Sequence, residues 1–427
     1  MAVIKPFAAL RYDYGRAGAA ETLCCPPYDV ISPDVQAEME RQNPYNVIRL
    51  ERPLGNDRYA EAGRRLRAWL RDGVLYRDPA PAYYVYRLSF DDRGVPNAVH
   101  GFFARVRLTD FAAGIVLPHE ETLSKDKSDR FSLMEHTLCN ISPVYALYED
   151  GAQTAEAVLA AAMDAPPAVR FTDSDGVTHE MWPVTAPDTQ AALTAALAPE
   201  RILIADGHHR YETALAFRDA RRAADPSLPP EAPSDHIMMM LVNLHHPGLV
   251  VWPTHRLVRR LPSFSEADTL ARLADAFEIT HGIAPEEVEA ALAARPHMVA
   301  LYAGGGEAAL LTLRDTDAPA RLLPDRSPDY RALDVTLLHT MILAPLFGID
   351  RDNMARQENL VYTRSLEEAL GGVRSGAFQC AFLLAPTPVS AIGRVAGAGE
   401  RMPQKSTYFY PKLTTGLVIH PLSIDLI

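Results

Sequence analysis

The sequence predicts a mixed α/β (α+β) protein, and three observations carry that prediction. Its 427 residues exceed what one small core can take up. Apolar runs with strand character alternate along the chain with segments of helical period. No internal repeat or low-complexity tract interrupts this order. Three segments are expected, with boundaries uncertain by several residues, or else one composite domain. Residues 1–150 form an α/β region with a hairpin and an acidic, lysine-bearing loop. Residues 151–260 are built around a strand, a bend and a helix, and residues 261–427 form a C-terminal α/β region.

The elements follow in order. In "CCPPYDVISPDVQAEMERQ", Ser32 reads as the N-cap and Pro33 as the first residue of a helix. "NPYN" ends that helix and "VIRLERP" reads as a short strand, followed by an amphipathic helix over "DRYAEAGRRLRAWLRDG". "AYYVYRLSF" and "HGFFARVRL" flank a polar turn and make an antiparallel hairpin. "FAAGIVLPHEETLSKDKSDRFSLMEHT" gives a strand ending near Leu117, a polar segment and a helix, and "PVYALY" is a strand. "AVRFTDSDGVTHEMWPV" reads as a second hairpin. "RILIADGHHRYETALAFRDARRA" is strand, bend and helix, and "HIMMMLVNLHHPGLVVWPTHRLV" holds buried strands. Met238 to Met240 read as core filler, and His245, His246 and His255 as satisfied core or pocket-edge residues. Beyond Pro262 strands and helices alternate, and "MPQKSTYFYPKLTTGLVIHPL" is a polar loop leading into a strand.

Composition excludes several classes. Apolar residues make up 48% and charged residues 22%, as in ordinary globular proteins, and the net charge of -12 argues against a general nucleic-acid binder. Four cysteines without a CxxC pair give neither a disulfide framework nor a cysteine zinc site. No apolar run approaches the ~18–20 residues of a membrane span, and no leader pattern opens the chain, so a cytoplasmic location is expected. Only five of the 42 basic residues are lysine. Four of them fall in two stretches, as Lys125 and Lys127 and as Lys405 and Lys412. A compact ammonium kept against so strong an arginine bias suggests a geometric need.

The bend Asp206-Gly207-His208-His209-Arg210 allows three readings: a metal site, a phosphate-binding turn, or a polar helix start with nothing bound. Adjacent histidines point apart and HExxH is absent, so no histidine cluster is expected to hold a metal. Phosphate suits the bend better. The unpaired N–H groups of a helix start attract anions, Gly207 permits a close approach, and Arg210 can fork onto oxygens. Arginine in a first turn opposes the helix dipole unless an anion sits there. In the third reading Asp206 caps the helix.

"ADGHHRYETAL" resembles the phosphate-binding box of the ParB/sulfiredoxin superfamily, above all the Asp-Gly-His-x-Arg box of its free-serine kinases. "PPYDVIS", "NPYNVIRLERP", "PHEETL", "ADGHHRYETAL" and "MPQKSTYFYPKL" together resemble the bacterial family DUF 1015 across nearly the whole chain. The resemblance implies a ParB/sulfiredoxin-like core within 151–260, elaborated by further α/β segments. It also implies a nucleotide site in which Gly207, His208, His209 and Arg210 cradle phosphates, with Tyr211 nearby. His209 stands where some kinase boxes carry a small hydroxyl residue, and the cysteine of the sulfiredoxin box is missing, which argues against sulfinic acid reduction.

Other stretches supply the remaining parts of a phosphoryl-transfer site. Glu120 or Glu121 can serve as general base, and Lys125 and Lys127 can neutralise phosphates. Asp206 can hold Mg²⁺ or orient the acceptor, with His208 as its catalytic neighbour. Tyr28 and Asp29 can wall a substrate pocket together with Ser406 and Thr407, and Lys405 can meet a phosphate. The expected function is a small-molecule kinase. It would use ATP or ADP with Mg²⁺ to phosphorylate a hydroxylated metabolite such as free serine, without nucleic-acid or membrane partners. The alternatives are a nucleotide-binding regulatory protein without turnover and a metal-dependent hydrolase using Asp206, His208 and distant carboxylates.

Overall fold

The computed structural model describes residues 1–121, 125–356 and 358–423, and only the backbone of 125–127 and 355. The chain is mixed α/β and folds as two compact units. Unit 1 comprises residues 1–118, 122–250 and 411–427, and unit 2 comprises residues 119–121 and 251–410. These boundaries differ from the three segments read from the sequence, and strand pairing is the reason. Strand Val95–Arg107 pairs with His236–Asn243, and Tyr83–Asp92 pairs with Thr178–Val184, so both sides of residue 150 share one sheet. The chain end also returns to unit 1, where Ile419 exchanges backbone hydrogen bonds with Leu10 and Thr415 with Cys25.

The sheet of unit 1 has nine strands, with both parallel and antiparallel neighbours. Across it run Val116–Leu117, Ile202–Asp206, Val144–Tyr148, His236–Asn243, Val95–Arg107, Tyr83–Asp92, Thr178–Val184 and Val169–Thr172, with Ile4–Lys5 beside Val95–Arg107. Both expected hairpins form. The first turns through Arg93 and Gly94, whose φ values of 56° and 89° give the left-handed pair that a two-residue hairpin needs. Every residue of His236–Asn243 is buried, including the three methionines. Helix Lys125–Thr137 packs against both Arg58–Arg71 and His208–Ala224. At Gly63 a Cβ would lie 2.3 Å from the His136 carbonyl oxygen, so only glycine allows that helix contact.

Ser32 caps helix Pro33–Gln42 through the Val35 N–H, as expected. "VIRLERP" does not form a strand: Ile48–Glu51 is a helical turn. Its cause is Asn46, whose side-chain oxygen accepts the Ile48 N–H at 2.9 Å and starts a local turn that competes with extension. Ile48, Leu50 and Glu51 become buried as a result.

Unit 2 is built on an all-antiparallel sheet of six strands. Their order is Phe277–Ile283, Ala308–Leu313, Met298–Tyr302, Cys380–Leu383, His255–Val258 and Leu360–Thr363. Leu257, Val288, Ala300, Tyr302, Leu370 and Leu383 belong to its core. Among the described residues no helix is long and apolar enough to cross a membrane. All four cysteines are free and buried.

Candidate anion site of unit 1

Strand Ile202–Asp206 enters the bend buried through Ala205. Between Ile204 and Asp206 its register against Val144–Tyr148 shifts, and Asp206 keeps 24% of its side chain exposed. Gly207 then takes φ 93° and ψ 29°, the left-handed conformation that costs glycine least. Gly207 is itself the N-cap of the 17-residue helix His208–Ala224, which has no side-chain cap hydrogen bond. Asp206 therefore does not cap the helix. Tyr211 anchors the first turn: its hydroxyl donates to the Thr109 carbonyl at 2.7 Å and accepts the Thr109 N–H at 3.0 Å.

The conflict between Arg210 and the helix dipole has an internal answer. Arg210 Nη2 donates to Asp206 Oδ2 at 3.0 Å, and its Nη1 donates to the Pro143 carbonyl. From the far end of the chain, Lys412 Nζ reaches Asp206 Oδ1 at 3.1 Å. Two cations thus share one carboxylate at an uncapped helix start. Burial alone would push the Asp206 carboxyl up, but Lys412 and then Arg210 outweigh it and hold it well below the usual carboxylate range. His208, itself buried, adds to that pull. For Arg210, burial works against the charge, while Asp206 first and then Asp29, Tyr28 and Glu51 raise its pKa.

A second charged cluster adjoins Arg210. Glu51, 1% exposed, accepts from Ser142 Oγ at 2.8 Å and from Arg130 Nη1 at 3.2 Å. Arg130 Nη1 also donates to the Glu51 carbonyl at 2.8 Å, and the Tyr28 ring lies 4.1 Å from its guanidinium carbon. Burial raises the Glu51 carboxyl despite Arg130. Burial likewise pushes the Tyr28 hydroxyl up to about 12, with Arg210 and Arg130 opposing. A cavity of about 30 Å³ lies among Glu51, Arg130, Ser142 and Arg210, enough for about one water. A metabolite has no room there.

Of the residues singled out in the sequence, Tyr28, Asp29, Asp206, Gly207, His208, His209 and Arg210 gather in unit 1. Glu120, Glu121, Lys405, Ser406 and Thr407 belong to unit 2. There Glu120 Oε1 accepts the Lys405 N–H at 2.9 Å, and His119 Nε2 bonds Thr407 Oγ1 at 2.8 Å. Glu121 pairs with Arg351 at 3.0 Å. Ser406 is buried and donates to the Pro403 carbonyl. The side chains of Lys125 and Lys127 lie outside the described residues. Asp206 is poorly suited to Mg²⁺, because a cation already sits on each of its oxygens and would repel a third.

Glu51, Arg130, Ser142 and Lys412 were not among the site residues drawn from sequence. Lysine scarcity pointed to Lys412, and "NPYNVIRLERP" contains Glu51. Arg130 and Ser142 carried no local signal.

His100, Glu156 and His246 form one further group with metal-ligand composition. The Gly248 N–H donates to His246 Nδ1 at 2.9 Å, which places the His246 proton on Nε2. That Nε2–H donates to His100 Nδ1 at 2.9 Å, and His100 Nε2–H donates to Glu156 at 2.6 Å. Each imidazole lone pair is already taken, so the arrangement is a hydrogen-bond relay.

No curated protein matches the sequence. Among solved structures, a conserved hypothetical protein from Pyrococcus furiosus is similar at 14% identity, covering 74% of this chain and 94% of that one, with a TM-score of 0.35. A free serine kinase in complex with AMP is similar at 14% identity, over 74% and 91% of the two chains, with a TM-score of 0.37. SbnI with a C-terminal truncation, from Staphylococcus aureus, is similar at 12% identity, over 76% and 90%, with a TM-score of 0.37. A family model matches residues 4–336, most of the chain, and this protein therefore belongs to the family described as protein of unknown function (DUF1015).

Proposed function

We propose that the bend of unit 1 binds the phosphates of a nucleotide, and that the protein transfers a phosphoryl group from ATP or ADP to a hydroxylated metabolite such as free serine. One observation carries the reading: Arg210 and Lys412 share the single carboxylate of Asp206 at a helix start without a side-chain cap. Two cations there meet one carboxylate, where the helix dipole also favours an anion. The box resemblance supports the same reading. In it the backbone of Gly207 to Arg210 and the ammonium of Lys412 meet phosphate oxygens, while Asp206 holds both cations in place. His208 and His209 donate at the rim, and Tyr28 and Asp29 flank the acceptor. Charge stabilisation would come from Lys412 and Arg210, and no step is assigned to Mg²⁺ at Asp206.

A second reading, a nucleotide-binding regulatory protein without turnover, is favoured by the saturation of Asp206. With both oxygens ion-paired, that carboxylate is no free base. One experiment separates the two. Thermal stability is measured with ADP and ATP, because a ligand that binds only the folded state stabilises it. The protein is then incubated with serine, Mg²⁺ and each nucleotide, and phosphoserine is measured. Stabilisation with phosphoserine formation, both lost in Arg210→Ala, supports the kinase. Stabilisation without transfer to any acceptor in a hydroxyl-metabolite panel supports the regulator. No stabilisation by any nucleotide sinks both.

A further inference from the structure

Unit 2 holds a cavity of about 550 Å³, within the size range of small-molecule sites. Arg256, His297, Asp334 and Ser406 stand on its wall, with Leu333 and Ala385 among the apolar residues that line it. Arg256 is the unusual member. It is 1% exposed, and among the described residues no carboxylate lies at ion-pairing distance from it. Its Nη1 donates to the Thr254 carbonyl and its Nη2 to the Lys405 carbonyl at 3.1 Å, while Nε is buried without a hydrogen-bond partner. The Tyr362 ring, 5.6 Å away, gives it a weak neighbour. Burial pulls its pKa down to about 10, with Tyr362 and Glu120 opposing. Glu120 is committed to the Lys405 N–H. Buried charges without a counter-ion are costly and are normally paired.

Arg295 is a second arginine on the wall, and the carboxylates there have partners. Arg394 Nε donates to Asp329 at 2.6 Å, and Asp334 accepts the His297 N–H at 2.8 Å. His297 Nδ1 is a second buried atom without a partner on the same wall. "MPQKST" closes part of the cavity through Ser406, and the carbonyl of Lys405 holds Arg256. The unit 1 site leaves this stretch of the motif unexplained.

We infer that the unit 2 cavity binds a small organic acid, with its carboxylate on the guanidinium of Arg256 and its apolar body against Leu333 and Ala385. A monocarboxylate supplies the one missing negative charge and fits the planar fork of arginine. A phosphate dianion brings a second negative charge towards Asp334 and Asp329 on the same wall. The site is distinct from the nucleotide reading of unit 1 and stands without it.

The test uses the full chain with isovalerate and benzoate, against benzamide, inorganic phosphate and glycerol 3-phosphate, by calorimetry and thermal shift. Saturable one-to-one binding of a carboxylic acid is expected, with benzamide about 10–100-fold weaker, the ratio typical of a lost charge-assisted hydrogen bond. Arg256→Gln should abolish binding. If that variant does not fold, Ala385→Phe fills the cavity with the guanidinium in place, and should abolish binding while circular dichroism stays unchanged. No saturable binding of either acid to folded wild type would overturn the assignment. So would binding that survives in Ala385→Phe, or binding of phosphates without carboxylates.

Discussion

Lys412→Met removes one of the two cations on Asp206 while keeping most of the stem's volume. At 3.1 Å and an effective dielectric near 20, the direct attraction is about 5 kcal/mol. Lys412 is only 14% exposed, so loss of its own desolvation penalty returns most of that. Asp206 also keeps Arg210 at 3.0 Å. A net destabilisation of about 1–2 kcal/mol at pH 7 follows. Its pH dependence identifies the cause. The folded Asp206 carboxyl lies below its unfolded value, near 3.9 for an ordinary aspartate, so its contribution is present above that value and is lost as pH falls through the folded one. The gap between wild type and variant should therefore be steady from pH 7 to about 5 and narrow only as pH falls from about 4 towards the depressed folded value. Urea unfolding is the assay, because an uncharged denaturant leaves the ion pairs unscreened. Trp69 and Trp182 lie in unit 1 and Trp252 in unit 2, so the comparison is made in a Trp252→Phe background that reports unit 1 alone. Equal stability of variant and wild type at pH 7 would mean that Lys412 adds no net attraction at Asp206, and would remove the cation pair on which the proposed anion site rests.

Three further outcomes are expected. Asp334 has its carboxyl raised to about 6 by burial, so its charged form costs stability that disappears as pH falls from 6 towards 4. Asp334→Asn should stabilise unit 2 by up to about 3 kcal/mol at pH 7.5 and by little at pH 4, and an equal gain at both would refute the cause. In Gly101→Ala the new Cβ would lie 2.1 Å from the Leu241 carbonyl oxygen, across the Val95–Arg107 and His236–Asn243 pairing. Chemical denaturation should show a loss of about 2–3 kcal/mol, since backbone cannot rotate away as a side chain can. Gly207→Ala places a side chain at φ 93°, 3.1 Å from the Arg210 guanidinium, and should cost roughly 1–2 kcal/mol and weaken nucleotide-induced stabilisation. A Gly207→Ala protein as stable and as responsive as wild type would remove the bend from consideration.

Local chemistry was legible where it acts over a few residues. The two hairpins, the Ser32 cap, the buried methionine strand and the strand–Gly207–helix bend follow from period, turn residues and capping, all of which are short-range. "VIRLERP" failed for a reason of the same range: Asn46 outcompeted the strand preference of the β-branched residues beside it. Unit boundaries are set at longer range, because pairing between strands more than a hundred residues apart leaves no trace in either strand's own composition.

By itself the sequence determined the mixed α/β class, the family and the residues of the bend. Tertiary structure decided what those residues face. Only folding brings Lys412 onto Asp206 across two hundred residues, turns Arg210 inward to Asp206 and Pro143, and leaves Arg256 buried without a carboxylate. Secondary structure is set by neighbours along the chain, whereas charge pairing and burial are set by neighbours in space.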